Sequence, residues 1–212
     1  MRFLYTAAAC IFLTMTTAEA ADQAYVSETF DKRWDWSGVQ LGVQAGYGIT
    51  HDRITVGPCA FGPDFDCRAG GDDDVYGAFI NINRHYGPLV VGAEISYAHH
   101  DSEFDDTSTV AIKDTTTFSL RAGYAIDRVL PYAFVGTVYG RTSSDALPAP
   151  FNLPAGWAGE DFGFAFGAGL DIGVTDKIFV GLRYERDFFS NFNNLGIDAT
   201  IDSAVARLGY KY

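Results

Sequence analysis

The sequence predicts an all-β chain closed into an eight-stranded antiparallel up-and-down transmembrane β-barrel. Three observations predict it. Apolar residues alternate with Gly and polar residues over eight separate runs, the links between runs alternate long and short, and the face opposite the apolar one carries too little charge to be a soluble protein's surface. With 212 residues, 48% of them hydrophobic and 15% aromatic, the chain has ample apolar material for a folded core, which excludes disorder as its main description. A net charge of −12 with scattered Lys and Arg argues against nucleic acid as a partner, because phosphate binding needs a concentrated basic stripe.

Residues 1–20 read as a cleaved secretory signal: Met1-Arg2 supplies a positive charge, Phe3 to Thr17 is mostly apolar, and Ala18-Glu19-Ala20 has the small-x-small form of a cleavage site. No later stretch approaches the roughly 20 apolar residues that a membrane-spanning helix needs. Residues 21–35 form a polar leader, and residues 36–212 the barrel domain. Cleavage removes Cys10 and leaves Cys59 and Cys67 in a Gly/Pro/Asp-rich segment; export to an oxidising compartment makes them a disulfide that staples a loop. A metal reading would want more thiol or His ligands, and only His51 is near in sequence.

The strands follow in order. Val39, Leu41, Val43, Ala45 and Tyr47 alternate with Gly and Gln; Tyr76, Ala78, Ile80 and Ile82 oppose Gly77, Asn81 and Asn83; and Leu89, Val91, Ala93, Ile95 and Tyr97 oppose Gly92, Glu94 and Ser96. Phe118, Leu120, Ala122 and Tyr124 oppose Thr117, Ser119, Arg121 and Gly123. Residues 131–140 form a fifth strand whose facing is ambiguous, since both phases are apolar. Phe162, Phe164, Phe166, Ala168, Leu170 and Ile172 oppose a Gly-rich face with Asp171; Ile178, Val180, Leu182 and Tyr184 oppose Gly181, Arg183 and Glu185, with Phe179 an apolar exception; Ala204, Ala206, Leu208, Tyr210 and Tyr212 oppose Ser203, Arg207, Gly209 and Lys211.

Long polar links near 50–74, 99–115, 142–156 and 188–200 alternate with short ones near 84–88, 127–130 and 175–177. An up-and-down sheet gathers the long links at one end and the short ones at the other, the asymmetry of an outer-membrane barrel whose short turns face the periplasm. Eight strands leave a narrow lumen, so Gly, Ala and Ser on the inner face let long side chains cross it. Glu94, Arg121, Arg183, Glu185 and Arg207 all fall on that face and must pair to offset desolvation. The apolar face then meets lipid, with Tyr47, Tyr76, Tyr97, Tyr124, Tyr184, Tyr210 and Tyr212 near strand ends, where amphipathic rings favour the headgroup boundary.

Trp36-Ser37-Gly38 leading into Gly42-Val43-Gln44-Ala45-Gly46-Tyr47-Gly48, then Gly92-Ala93-Glu94-Ile95-Ser96-Tyr97, Arg121-Ala122-Gly123-Tyr124, Leu130-Pro131-Tyr132, Thr175-Asp176-Lys177, Arg183-Tyr184-Glu185 and the terminal Arg207-Leu208-Gly209-Tyr210-Lys211-Tyr212 carry a resemblance. The chain resembles the small outer-membrane β-barrel family that includes outer-membrane immunogenic proteins and porin-family surface antigens. The resemblance implies residence in the cell outer membrane among lipid and lipopolysaccharide, surface loops that are often antigenic, and a C-terminal signal for the barrel-assembly machinery, met here by Leu208, Tyr210 and Tyr212. It brings no catalytic motif and implies no cofactor.

Two other clusters have competing readings. His99-His100-Asp101-Ser102-Glu103 suggests a His base beside a Ser nucleophile, hence an outer-membrane enzyme acting on lipid or peptide, but neighbouring His residues on a strand point to opposite faces and no oxyanion-hole motif accompanies them. A solvated loop start is the favoured reading. Asp72-Asp73-Asp74 and Asp101-x-Glu103-x-Asp105-Asp106 could hold Ca²⁺ or Mg²⁺, yet neither has the spacing of a dedicated calcium loop, and solvated acidic loops are expected. For the lumen charges, a gate with weak ion or small-solute conductance competes with a permanent plug, and the narrow lumen favours the plug. A soluble periplasmic binding barrel is the remaining alternative, which would require the apolar faces to meet at the centre.

Overall fold

The computed structural model describes residues 34–54, 68–102, 110–144, 157–190 and 197–212. The expected signal segment, most of the leader, and both Cys59 and Cys67 lie outside the described residues. Eight strands follow one another: β1 (Gly38–Ile54), β2 (Arg68–Tyr86), β3 (Leu89–Ser102), β4 (Val110–Tyr124), β5 (Val129–Ser144), β6 (Trp157–Gly173), β7 (Ile178–Phe189) and β8 (Ile197–Lys211). Each pairs antiparallel with its sequence neighbour, and β1 pairs with β8 through partners such as Val43 and Leu208, so the barrel closes. Closure satisfies the backbone of every strand, the condition for crossing hydrocarbon.

The outer surface is apolar. Leu41, Phe164 and Leu208 are 43%, 52% and 51% exposed, while Gln40, Gln44 and Asn81 are buried inside. A soluble carrier would show the reverse.

The inside is less purely polar than alternation suggests. Phe79, Tyr132, Phe134 and Phe179 also point inward and cluster with Trp34, Trp36, Val90 and Leu130. Glycines make the room. Phe79 pairs directly with Gly42, Tyr132 with Gly169, Phe134 with Gly167, and Phe179 with Gly209. A methyl group added at Gly209 or Gly42 would collide with the opposing ring. This settles the ambiguous fifth strand: Tyr132, Phe134 and Val138 face the lumen, and Ala133 and Val135 face outward.

The leader's last residues belong to the barrel as well. Trp34 is buried, and its indole nitrogen donates to the Thr175 carbonyl at 2.6 Å, while Trp36 stacks edge-on against it with centroids 4.2 Å apart. A second apolar cluster of Ile112, Val138, Ala165, Phe189, Ala199 and Ile201 lies toward the long-link end. Along β7 the inner face runs Phe179, Arg183, Glu185, Asp187, Phe189, an ionic layer between two apolar ones.

The strands outrun the expected links. Residues 68–74, 99–102 and 110–115 continue the ladder, with Tyr76 paired to His99 and His99 to Asp114. Backbone groups in a closed sheet gain by pairing whatever the side chains, so polar composition does not end a strand. The short turns are tight: Gly87 has φ +61° before Pro88, and Asp127 has φ +52° in a two-residue loop closed by Ile126 and Val129. Positive φ at these positions is what turns matched to strand twist require.

Candidate functional site

The middle of the lumen holds one connected charge network. Glu94 on β3 receives three guanidinium groups: Arg183 on Oε1 at 2.8 Å, and Arg121 and Arg207 on Oε2 at 3.1 and 2.8 Å. Asn81 adds an amide donor to the same Oε2 at 3.2 Å. Arg183 also grips Glu185 with Nε and Nη2, both at 2.9 Å, and Thr117 donates to the other Glu185 oxygen at 2.8 Å. The structure thus brings Glu94, Arg121, Arg183, Glu185 and Arg207 together.

A sixth ionic member is Asp171 on β6, fully buried, which accepts from Arg121 Nη2 at 2.8 Å. It makes the network electrically balanced: Arg121, Arg183 and Arg207 against Glu94, Asp171 and Glu185. Sequence reasoning places Asp171 on the inner face but leaves it out of the network. The signal was available, since Asp171 is the charged group set among the glycines of that face.

Each arginine also rests on an aromatic ring. Arg121 lies 3.8 Å from the Tyr132 centroid, Arg183 3.4 Å from Phe134, and Arg207 3.6 Å from Phe79. The ring faces are negative, so they hold the planar cations where water is excluded. Arg207 also donates to the Tyr132 hydroxyl at 2.7 Å. These aromatic members were missed because alternation assigns large apolar side chains to lipid; the glycine directly opposite each ring is what would have revealed them. Above the network, a cavity bounded by Gln44, His100, Thr117, Glu185 and Asp187 has about 10 Å³ of room, enough for one water molecule.

The two histidines separate as strand geometry demands, but in β3 rather than at a solvated loop start. His100 is buried in the lumen, 3.1 Å from the Thr115 hydroxyl and 3.8 Å from Asp73. His99 faces outward, with Nδ1 2.8 Å from Asp114 Oδ1, an oxygen that also accepts the Tyr97 hydroxyl at 2.5 Å. The Asp72–Asp74 run is strand too: Asp73 is buried and accepts from Thr50 at 3.0 Å, and its two neighbours are exposed. Glu103, Asp105 and Asp106 lie outside the described residues, and among the described residues no group of three or more His, Cys, Asp or Glu is arranged to hold a metal. Leu208, Tyr210 and Tyr212 form an outward row at the end of β8, with the two tyrosine rings 5.6 Å apart.

The chain is similar to several known proteins. The chain is 27% identical to the 25 kDa outer-membrane immunogenic protein of Brucella canis, over 85% of this chain and 80% of that one. The protein of the same name from Brucella abortus biovar 1 is 26% identical over the same shares. The crystal structure of Neisserial surface protein A covers 83% of this chain and 100% of its own, at 16% identity and a TM-score of 0.49. The family described as "Outer membrane protein beta-barrel domain" matches residues 8–212. The chain belongs to that family, and its place is the cell outer membrane.

Proposed function

We propose that this protein is a non-enzymatic structural barrel with a permanently plugged lumen, which carries the links after β1, β3, β5 and β7 outside the cell as surface antigen. The observation that carries this reading is the clamp of three arginines on Glu94, each backed by a ring, with an apolar cluster on either side. Moving one arginine would strand a buried carboxylate at a cost of several kcal/mol, so partner exchange is an unfavourable gate. Outer-membrane lipid and lipopolysaccharide surround the apolar belt, and the assembly machinery reads Leu208, Tyr210 and Tyr212 during insertion. Planar-bilayer recording of the purified protein tests the plug: no channel events above background are expected, and a reproducible open level would replace the plug with a gate.

A second reading rests on the outward His99–Asp114 pair, which has the base-plus-orienting-acid geometry of a hydrolase. In that reading the barrel is an outer-membrane enzyme acting on lipid or peptide. Hydrolysis of a short-chain ester or phospholipid that is lost in His99→Ala would favour it over the structural role.

A further inference from the structure

We propose that the outer face of β2 to β5 is a binding site for one glycerophospholipid of the periplasmic leaflet, with Arg84 taking the phosphate and a groove floored by Ala122 and Ala133 taking an acyl chain. Arg84 shares its face with Ile82 and Tyr86 and is exposed on the lipid side of β2. It has no hydrogen bond or ion pair among the described residues. The three arginines of the barrel interior, Arg121, Arg183 and Arg207, by contrast, are each paired with a buried carboxylate. A permanent cation held against a hydrocarbon-facing surface must find an anion or reach the interface, and the anion available at that height is a lipid phosphate.

The shape beside Arg84 fits the rest of such a molecule. Arg84 pairs with Val91, Val91 with Ala122, and Ala122 with Ala133, so one hydrogen-bonded row crosses four strands with the cation at its end. The adjoining row is Ile82, Ala93, Leu120 and Val135, in which Ile82 and Leu120 stand 59% and 68% exposed. Low alanines beside tall walls make a groove of about 1180 Å³, larger than the roughly 300–1,000 Å³ of a drug-sized ligand site.

The direction is right as well. Arg84 is two residues from the end of β2 at its short-turn rim, whereas Ala133 is the fifth residue of β5 from that same rim. Because strands tilt in a barrel, the row climbs from rim to hydrocarbon, so a headgroup at Arg84 points its chain along the groove into the membrane. At about 4.8 Å per strand spacing, the three steps span roughly 14 Å.

A neighbouring groove supplies the control. Val43, Ala45, Ala78, Ala206 and Leu208 line a hollow of about 630 Å³ on β1, β2 and β8 that has no outward cation, since Arg207 points into the lumen.

Native mass spectrometry of the full barrel, released from detergent supplemented with palmitoyl-oleoyl phosphatidylethanolamine, tests the site. One retained lipid is expected, with occupancy falling about tenfold in Arg84→Gln, the loss of about 1.4 kcal/mol of binding. Ala122→Leu should fall comparably by filling the floor, and Ala78→Leu in the control groove should match the parent. All variants are scored only as the heat-modifiable folded form, and Arg84→Gln changes an exposed side chain without touching the core. Equal occupancy in Arg84→Gln and the parent overturns the proposal, as does equal retention of dioleoylglycerol, which lacks the phosphate.

Discussion

Glu94 has one negative charge and three guanidinium neighbours, so its loss is worse for the arginines than for itself. Glu94→Gln leaves Arg207 without its carboxylate and Arg183 with Glu185 alone. Removing one partner of a buried ion pair costs about 3–5 kcal/mol, and that is the loss expected in urea unfolding followed by gel mobility. Arg121→Ala acts through a different residue than its position suggests. Glu94 keeps two arginines, but Asp171 loses the guanidinium at 2.8 Å. The double variant Arg121→Ala/Asp171→Ala should therefore recover part of the single variant's loss, with a coupling of about 0.5–3 kcal/mol. At the short-turn mouth, outside the membrane-crossing strands, partial desolvation raises the pKa of Asp35. A hydrogen bond from the Ser37 amide at 2.9 Å and the charge of Lys211 outweigh it and hold the carboxyl below its ordinary 3.8. A depressed folded value means that the stabilisation is present above 3.8 and is lost as pH falls through the folded value. Acid titration of stability should show a smaller loss in Asp35→Asn than in the parent.

The four long-link hairpins share one device. Tyr47 bonds Asp72, Tyr97 bonds Asp114, Tyr139 bonds Glu160 and Tyr184 bonds Asp202. In each, the acid sits two residues before the tyrosine's direct partner on the next strand: Tyr97 pairs with Thr116 and Tyr184 with Ala204, for example. The girdle phenols are thus tied to the sheet by diagonal cross-strand bonds on the outer face. Tyr97→Phe or Tyr184→Phe keeps the ring and loses the bond, with an expected cost of a few tenths to about 1 kcal/mol for a partly solvated pair. The apolar cluster at the other end matters more. Phe179 touches Trp34, Trp36 and Phe79, with ring centroids 6.0 to 6.1 Å apart. Phe179→Ala should cost about 3–5 kcal/mol in the same unfolding assay, because Gly173 and Gly209, its direct partners on the two adjacent strands, have no side chain to fill the space the ring leaves.

As a whole, the molecule is a membrane barrel turned apolar side out and filled by stacked layers: rings at the short-turn mouth, ions in the middle, and a second apolar cluster around Phe189 above. Alternation in the sequence was enough to place Leu41, Phe164 and Leu208 outside and Glu94, Arg121 and Arg207 inside, because a strand has only two faces and the solvent chooses between them. It could not place Tyr132 or Phe134, since both phases of that strand are apolar and hydropathy does not say which apolar group meets lipid and which meets a glycine across the ladder. Nor could it end the strands: His100 and Asp73 read as loop residues, yet backbone pairing carries them into the lumen. Oxygen and nickel-chelate accessibility of spin labels in a lipid bilayer tests the inversion most directly, using single cysteines at 41, 164 and 208 against 40 and 81 in a background lacking Cys59 and Cys67. Labels at the first three positions should collide freely with oxygen and hardly with nickel, and labels at the other two should be shielded from both; oxygen-rich signals at 40 and 81 with shielding at 41, 164 and 208 would contradict the account.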